Sequence, residues 1–340
     1  MTDRTDYPTQ AANAFRAEGT MNLPAKLREM ASWHTMSPLL VFLAMLLTVS
    51  VLNSAYLGPL GISIVTASAA PILLVALGQA MVLNIGSIDL SNAAISLLGS
   101  ILLALALPSL GIGSLLAILL LLTLIGAING AIVAYTQVPS FALTLGTLGI
   151  LQTAALVASG AETIYVSENR ELVTMFYTYK LANAPLTFWI GVAVAVLYWF
   201  VLRFTVLGQN MTAVGKNETG AIFSAVPNRL VKIVTFAISG FTGGLAGLSI
   251  VAQAGSASTS GLGSNLLLPG IAAALVGGTS ISGGLTNPIN VVFGALTVAF
   301  VPIAIQAIGA GAEAQSLVYG IFIILVVALT TARTRDAVIK

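Results

Sequence analysis

Residues 61–107 read GISIVTASAAPILLVALGQAMVLNIGSIDLSNAAISLLGSILLALAL, and this stretch decides the fold because it contains a single formal charge, Asp89. The scarcity extends to both sides, since Asp89 is the only charged residue between Pro38 and Ala161. Only 7% of the chain is Asp, Glu, Lys or Arg, against about 25% in a soluble domain. Such a stretch cannot form the surface of a water-soluble protein. It predicts helices packed in a bilayer, where each backbone N–H is bonded inside its own segment.

A helix that crosses a bilayer needs about 20 mostly apolar residues, and ten segments meet or approach this requirement. They are Pro38–Leu57, Gly61–Leu83, Leu90–Leu107, Ser114–Tyr135, Pro139–Ser159, Pro185–Phe204, Leu230–Gln253, Leu266–Ser280, Pro288–Ile308 and Ser316–Thr331. Leu90–Leu107 and Leu266–Ser280 are short or flanked by glycine, so a re-entrant course is also open for each. We expect an all-α integral membrane protein with about ten transmembrane helices, some of them broken or re-entrant.

The positions of the basic residues predict the orientation, because Lys and Arg near helix ends mark the cytoplasmic side. All but two of the 13 basic residues lie in the first 37 residues, at the end of Pro185–Phe204 or in the segment that follows it, or at the carboxyl terminus. The two exceptions, Arg170 and Lys180, share the acidic loop Ala161–Ala184, which is then external. Ten spans with both termini in the cytoplasm put every basic loop on the cytoplasmic side and the acidic loop outside. Eight spans would also do so if both weak segments were re-entrant.

The predicted organisation is one membrane domain, 38–332, between cytoplasmic tails 1–37 and 333–340, with a long cytoplasmic loop at 205–228. The amino-terminal tail is too long and too mixed in charge for a signal peptide, so we expect it to be retained. Cysteine is absent, which excludes disulfides and cysteine metal sites. The net charge of +2 gives no indication of nucleic-acid binding.

Small residues recur at four-residue spacing within the spans. The GxxxG pairs are Gly126 with Gly130, Gly240 with Gly244, and Gly243 with Gly247. In lipid, small residues let helices approach closely, and dispersion then holds them together. We favour ordinary close packing within the chain over a dedicated dimer seam.

Asp89 lies in a polar break, Gly86–Ser91, and has two compatible interpretations. An ionisable group at membrane depth is expensive and usually functional, yet Asp is also a strong helix N-cap and Leu90–Leu107 follows at once. A second glycine-rich break covers Gly277–Gly284. The two breaks could be equivalent points of an internal repeat, a device that transporters use around their substrate sites.

Uncharged polar side chains are scattered through the spans. They are Gln79, Asn84, Asn129, Gln152, Gln253, Asn287, Asn290 and Gln306. Some would bond between helices, and a subset could line a polar path; one sequence does not say which. A path of amides and hydroxyls suits a neutral hydroxylated solute better than an ion.

No nucleotide-binding or hydrolytic motif is present. Gly215-Lys216 is followed by Asn217, so no phosphate-binding loop is formed, and the single histidine, His34, lies in the amino-terminal tail. Glu218–Val226 could form two turns of helix, with Asn217 as N-cap and Pro227 as the stop. Such a helix would either lie flat on the protein or the headgroups, or dock another subunit.

Four ordered segments resemble one family. They are GQAMV at Gly78–Val82 with GSIDLS at Gly86–Ser91, VPSFALTLGT at Val138–Thr147, LGQ at Leu207–Gln209 with AVGKN at Ala213–Asn217, and AAALVGGTS at Ala272–Ser280 with Gly283 and Gly284. Their order across about Gly61–Ala332 is similar to that in permease subunits of ribose-type ABC importers, the sugar branch of the branched-chain permease superfamily. Ser87 and Asn92 depart from the family pattern. Leu267-Leu268-Pro269 resembles the second permease of importers built on two different permeases, as in autoinducer-2 uptake.

The resemblance implies a non-enzymatic permease subunit in the bacterial cytoplasmic (inner) membrane, forming the path for a monosaccharide or similar small polyhydroxylated solute. Its implied partners are the lipid bilayer, a solute-binding protein, a second permease (expected to be non-identical, with a homodimer as the alternative) and an ABC ATPase, which would bind the ATP and Mg²⁺. No catalytic residue, metal ligand or bound cofactor is expected in this chain.

Two sets of site residues follow from the resemblance. The implied substrate path is near Gln79, Asn84, Asp89, Ser91, Thr279 and Ser280. The implied ATPase-coupling helix includes Asn217, Glu218, Ala221, Ile222, Phe223, Ala225 and Pro227. The alternative function is a secondary transporter or facilitator that works alone. It is disfavoured because ion-coupled carriers usually need intramembrane acids, and Asp89 is the only candidate away from the mapped loops.

Overall fold

The computed structural model describes residues 33–261, 263–307, 309, 311 and 313–330. The chain divides into an amino-terminal unit, Met1–Ser37, of which residues 33–37 are described, and a compact unit from Pro38 onward. Most of the predicted amino-terminal tail and all of the predicted tail 333–340 therefore lie outside the described residues.

The described chain is almost entirely helical. Its helices are α1 Trp33–Leu52, α2 Pro59–Asn84, α3 Ser91–Leu110, α4 Gly113–Thr136, α5 Ser140–Ser159, α6 Glu171–Thr178, α7 Leu186–Phe204, α8 Val206–Lys216, α9 Glu218–Phe223, α10 Asn228–Ala254, α11 Leu267–Val276, α12 Pro288–Ala307 and α13 Ala314–Thr330, with a 3₁₀ turn at Ser54–Leu57. Four two-residue strands form two antiparallel pairs. They are β1 Ile164–Tyr165 with β4 Ser256–Ala257, and β2 Lys180–Leu181 with β3 Ala184–Pro185.

Each predicted span overlaps one helix, and the almost wholly helical chain confirms the all-α membrane fold. Within the described residues, seven helices are long and apolar enough to cross a membrane: α2, α3, α4, α5, α7, α10 and α12. The first doubtful segment, Leu90–Leu107, is a full helix: α3 begins at Ser91 and continues for 20 residues to Leu110, beyond the predicted end.

The second doubtful segment, Leu266–Ser280, contains only the ten-residue helix α11. At about 1.5 Å per residue, α11 is about 15 Å long, half of a hydrocarbon core that is about 30 Å thick. It is therefore a half-helix rather than a full helical span. Its end at Val276 is set by Gly277 and Gly278, the second of which has a positive φ of 84°.

Helix α10 is the centre of the bundle and packs against α2, α3 and α4. A Cβ atom on Gly126 would collide with the backbone of Phe236 and Gly240, and one on Gly240 would collide with the backbone of α4. On its other face, a Cβ on Gly247 would lie 2.8 Å from the backbone of Ser96 and Ser100. The GxxxG pairs are thus the seams of α10 with α4 and with α3, which confirms the prediction of close packing inside the chain.

The remaining long helices surround this centre. Helices α7 and α12 pack on α2, and α11 lies against α2, α12 and α13. Helix α5 is peripheral and packs mainly on α3, so that Leu145, Ile150 and Val157 are exposed. Large exposed apolar side chains on the outer helices match a surface that contacts lipid rather than water.

The bundle has two distinguishable ends. At one end, here called the α8–α9 end, Gly284 N–H donates to Asn84 O at 2.8 Å, and Gly215 of α8 packs between these two residues. At the other end, here called the α6 end, Val166 N–H donates to Gly255 O at 3.1 Å beside the β1–β4 pair. Helix α10 joins the two ends, because it begins directly after α9 and finishes at Ala254.

Candidate functional site

The first break connects α2 to α3 and is organised by Asp89, which is completely buried. Its Oδ1 accepts hydrogen bonds from the Ser91 N–H at 3.0 Å and the Ser91 hydroxyl at 2.6 Å. Its Oδ2 accepts from the Ser239 hydroxyl at 2.7 Å. Leu90, and not Asp89, therefore occupies the N-cap position of α3. Asp89 lies one residue earlier, accepts from the first N–H of the helix, and ties that turn to the central helix α10.

A hydrogen-bond network, here called the Asp89 network, extends from this carboxylate to neighbouring helices. Asn129 of α4 donates to the Ser91 hydroxyl at 3.0 Å and accepts from the Thr147 hydroxyl of α5, also at 3.0 Å. Asn92 donates to both Ser239 O at 2.6 Å and Ser239 Oγ at 2.7 Å. Gln79 of α2 donates to the backbone carbonyl of Asp89. The network thus joins α2, α3, α4, α5 and α10.

Two backbone N–H groups of the break are bonded to hydroxyls of α5. Ile88 N–H donates to Ser140 Oγ and Leu90 N–H donates to Thr144 Oγ1, each at 3.0 Å. A broken helix leaves unpaired N–H groups that could bind a substrate. Here, these two donors are already satisfied within the protein.

The second break, 277–287, meets the first. Ser280 N–H donates to Leu285 O at 2.9 Å, and the hydroxyls of Thr279 and Thr286 are 2.7 Å apart. Gly283 has a positive φ of 87°, and a Cβ there would lie 2.6 Å from Gly215 O. Only glycine combines this backbone conformation with so close an approach. The two breaks and the end of α8 therefore form one contact.

The coupling segment consists of α8, α9 and the turn to α10. Asn217 caps α9 by accepting from Gly220 N–H at 2.9 Å, as predicted. Helix α9 ends at Phe223 rather than reaching Val226, because Ala225 adopts a left-handed conformation with φ 60°. Pro227 precedes the first turn of α10 instead of stopping α9.

The six residues of α9 present one face to the protein and another to the outside. Ala221 is buried, whereas Phe223 is 87% exposed and Ile222 is 53% exposed. The two large apolar side chains therefore project from the α8–α9 end of the bundle.

Glu218 anchors α9 to the first turns of α10. Its Oε1 accepts from Lys232 Nζ and from Asn228 Nδ2, each at 2.6 Å. Partial burial acts to raise the pKa of Glu218, but the hydrogen bonds from Lys232 and Asn228 and the charge of Lys232 outweigh it. The pKa of this carboxyl group is therefore below its ordinary value, and the ion pair is formed at neutral pH.

A cavity of about 440 Å³ separates this ion pair from the first break. It is lined by Gly86–Ile88, by the α4–α5 turn at Gln137–Phe141, and by Glu218 and Lys232. The coupling segment and the first break thus face the same small space.

The structure brings the two predicted sets of site residues to the same end of the bundle. Gln79, Asn84, Asp89, Ser91 and Thr279 are buried, and Ser280 is half-buried. All of these residues lie in or beside the two breaks, next to the coupling segment. Their assignment to a substrate path remains a prediction; in this conformation the protein is closed around them.

A larger cavity, of about 620 Å³, was not anticipated. It lies between α2, α5, α10, α11, α12 and α13, and its polar lining includes Ser68, Gln152, Gln253, Asn265, Gln315 and Tyr319. The sequence marked Gln152 and Gln253 as polar residues within spans, but which helix faces they occupy depends on packing. Within the described residues, no group of His, Asp and Glu side chains is arranged to hold a metal ion.

Comparison with known proteins gives one family match and several relatives. The family described as branched-chain amino acid transport system, permease component, matches residues 61–327. A ribose import permease protein of Haemophilus influenzae is 29% identical over 258 residues, which cover 75% of this chain and 80% of the relative. No solved structure matches.

Two further relatives are aligned over a smaller part of their length. A D-allose transport system permease protein of Escherichia coli is 33% identical over 206 residues, covering 60% of this chain and 62% of the relative. An autoinducer 2 import system permease protein of Yersinia enterocolitica is 30% identical over 208 residues, with the same two coverages of 60% and 62%.

Proposed function

The chain belongs to the family of branched-chain amino acid transport system permease components, and from this premise we propose that it is the membrane subunit of a sugar-type ABC importer. As a multi-pass protein of the inner membrane, it would form the path for a monosaccharide or similar small polyhydroxylated solute. Its relatives include proteins named as permeases for ribose, allose and autoinducer 2. Family membership assigns it to transport components rather than enzymes.

In this proposal, ATP hydrolysis takes place on a separate ABC ATPase that docks on α9. The observation that carries the proposal is the exposure of Phe223 on a helix anchored from its other side. A large aromatic side chain that is 87% exposed, beside a half-exposed Ile222, is typical of an anchor for a partner's pocket. Glu218 holds this helix in place through Lys232 and Asn228.

The contacts suggest how docking would reach the membrane part. Lys232 and Ser239 lie seven residues apart on α10, which is about 10 Å along a helix. Ser239 bonds Asp89 in the first break, and Gly215 of α8 contacts both breaks. A displacement of α8 and α9 by the ATPase would therefore act on α10 and on both breaks together.

The two ends of the bundle suggest where the remaining partners would bind. A second permease subunit, expected to be a different chain, would complete the transporter. A solute-binding protein would deliver solute at the α6 end, where 161–184 and β4 lie together. This arrangement requires the α8–α9 end to be cytoplasmic, as the basic residues predict.

The proposal is tested by purifying the chain in mild detergent with its cognate ABC ATPase. We expect Phe223→Ala to reduce ATPase recovery at least about tenfold, the range expected when an interface anchor is truncated. Tyr165→Ala, which removes another strongly exposed aromatic side chain (76%) at the α6 end, is the matched control and should leave recovery unchanged. Full recovery of the ATPase with Phe223→Ala would show that α9 is not part of the docking site. Solute transport by the reconstituted chain alone would overturn the importer function.

A further inference from the structure

The larger cavity extends toward the α6 end from the level of Leu148, which directly follows Thr147 of the Asp89 network. Gln253 is next to the last residue of α10, and it follows Ser239 by 14 residues, or about 21 Å along the helix. Ser68 lies in the middle of α2, 16 residues or about 24 Å before Asn84. The cavity therefore lies mainly in the half of the bundle that faces the α6 end, beyond the residues that the family resemblance assigned to the path.

Among the residues that the structure describes, the polar side chains of this cavity have no hydrogen-bond partner. Ser68, Gln152, Gln253, Asn265, Gln315 and Tyr319 form no side-chain hydrogen bond with any other described residue. Tyr319 lacks such a partner although it is only 5% exposed. In a membrane protein, unpaired polar groups are tolerated only where they meet water or a ligand. The cavity is therefore a place where a polar guest would gain bonds that the protein leaves unmade.

The Asp89 network offers fewer accessible groups. Its carboxylate and hydroxyls are bonded to one another or to the backbone, and its unpaired amide oxygens, Gln79 Oε1 and Asn92 Oδ1, are fully buried. A solute could bind there only by displacing bonds between helices that hold the bundle together. The polar side chains of the cavity, apart from Tyr319, are exposed or half-buried, so a transported molecule could reach them without breaking such bonds.

The lining also indicates the chemical class of the guest. None of the described residues that line the cavity is acidic or basic. Primary amides donate and accept hydrogen bonds at once, which matches hydroxyl groups that do the same. Apolar walls from Ile72, Leu148 and Pro302 would contact C–H faces. A volume of about 620 Å³ is within the range of small-molecule sites.

One wall of the cavity is connected to the coupling end. Leu266–Pro269, at the start of the half-helix α11, lines the cavity, and α11 finishes at the second break. The second break contacts α2 and α8 through Gly284 and Gly283. A movement of the second break would therefore be carried by α11, over about 15 Å, to the cavity wall.

From these observations we infer that this cavity is the solute-binding compartment of the chain, and that its free amides Gln152, Gln253 and Gln315 select a neutral polyhydroxylated solute. The inference rests on the proposed function and deepens it. It assigns the solute site to the α6 half of the bundle rather than to the buried breaks. The breaks would then transmit movement from the ATPase to the site.

The chain contains no cysteine, so single cysteines can report on the cavity directly. Gln152→Cys, Gln253→Cys and Gln315→Cys would be made in the full chain, assembled with its ATPase and binding protein. They would be treated with a membrane-impermeant methanethiosulfonate in right-side-out and in inverted vesicles. Ile150→Cys is the matched control, because Ile150 is an exposed residue on the same helix as Gln152 but does not line the cavity.

We expect the three cavity cysteines to react from the outer side at least about tenfold faster than Ile150→Cys, because a thiol in lipid forms little thiolate. D-ribose, D-allose and D-fructose are the probes, and whichever of them the wild-type transporter takes up should slow the reaction. Gln152→Leu and Gln315→Leu should raise the KM for that sugar about tenfold, as expected for a lost hydrogen bond to the solute.

The outcomes separate this inference from the proposed function. If wild-type uptake needs the ATPase but the cavity cysteines react no faster than Ile150→Cys from either side, the inference is wrong and the importer function stands. Rapid labelling that a transported sugar does not slow, together with an unchanged KM in both leucine variants, would also overturn it. Failure of ATPase-dependent uptake of all three sugars, with no ATPase recovered, would instead count against the proposed function.

Discussion

The strongest prediction concerns Asp89, whose replacement should affect folding of the bundle rather than the transport step itself. Its carboxylate accepts three hydrogen bonds, from the Ser91 N–H, the Ser91 hydroxyl and the Ser239 hydroxyl. Asp89→Ala would leave these buried donors without their acceptor, and each such donor costs about 1–3 kcal/mol. Since the Ser91 hydroxyl can turn to another acceptor, two donors remain, and we expect a total loss of about 2–6 kcal/mol.

The size of this loss makes it measurable. It is a large fraction of the 5–15 kcal/mol by which typical domains are stable, and for a chain of this length it should lower the melting temperature by about 3–8 °C. Asp89→Asn retains one acceptor oxygen and should lose only about 1–2 kcal/mol. Ser100→Ala, on the same helix, is the control; its hydroxyl bonds only Leu97 O, and its removal should have little effect.

The assay compares the folded fraction after heating in detergent with sugar uptake per folded transporter. We expect Asp89→Ala to reduce the folded fraction and total uptake in parallel, so that uptake per folded molecule stays within about twofold of wild type. In a double-mutant cycle, Asp89→Ala and Ser239→Ala should be coupled by about 0.5–3 kcal/mol. A variant that melts like wild type but no longer transports would refute this reasoning and return Asp89 to the substrate path.

Two further predictions concern the coupling segment and the packing of α10. Glu218→Gln should lower transport per ATP hydrolysed while changing stability by less than about 1 kcal/mol, because the Glu218–Lys232 pair is half-exposed. Since the pKa of Glu218 is lowered, the contribution of the Glu218–Lys232 pair to stability is present above the ordinary Glu pKa. It is lost as the pH falls through the lowered value. Transport per ATP hydrolysed by the wild type should therefore stay constant from pH 6 to 8, which is about two units above an ordinary Glu pKa. A steep change in this range would contradict the assignment. Gly240→Ala should destabilise the bundle by about 1–3 kcal/mol, because its Cβ would meet the backbone of α4, whereas Gly146→Ala, which has open space around it, should be neutral or slightly stabilising. Equal melting temperatures for these two variants would show that the α4–α10 seam is not as tight as described.

The spans and the coupling segment were predictable because they depend on local composition. A segment such as Ser140–Ser159 enters the bilayer on the hydropathy of its own residues, whatever its neighbours are. Asn217 as the cap of α9 follows in the same way from a few adjacent residues. The end of α9 was less predictable, since the left-handed turn at Ala225 carries no glycine or asparagine to mark it.

The half-helix α11 illustrates an intermediate case. Its apolar residues and flanking glycines indicated a weak span, and Leu90–Leu107 gave the same indication. Only the structure separates them: α3 continues for 20 residues, whereas α11 stops after ten. The difference arises because Gly277–Gly284 must turn to meet Asn84 and Gly215, which lie far away in the chain.

The sequence by itself determined that this chain is a helical membrane protein, roughly where each helix runs, and which family it resembles. Those properties follow from the hydropathy of adjacent residues and from short motifs. Only the tertiary structure decided which polar side chains are bonded and which are free. Asp89 and Ser239 are 150 residues apart yet share a hydrogen bond, while Gln152 and Gln253 remain without one and line a cavity. The reason is physical: the direction in which a side chain points is set by the rotation and packing of whole helices, and these are fixed by contacts between distant segments.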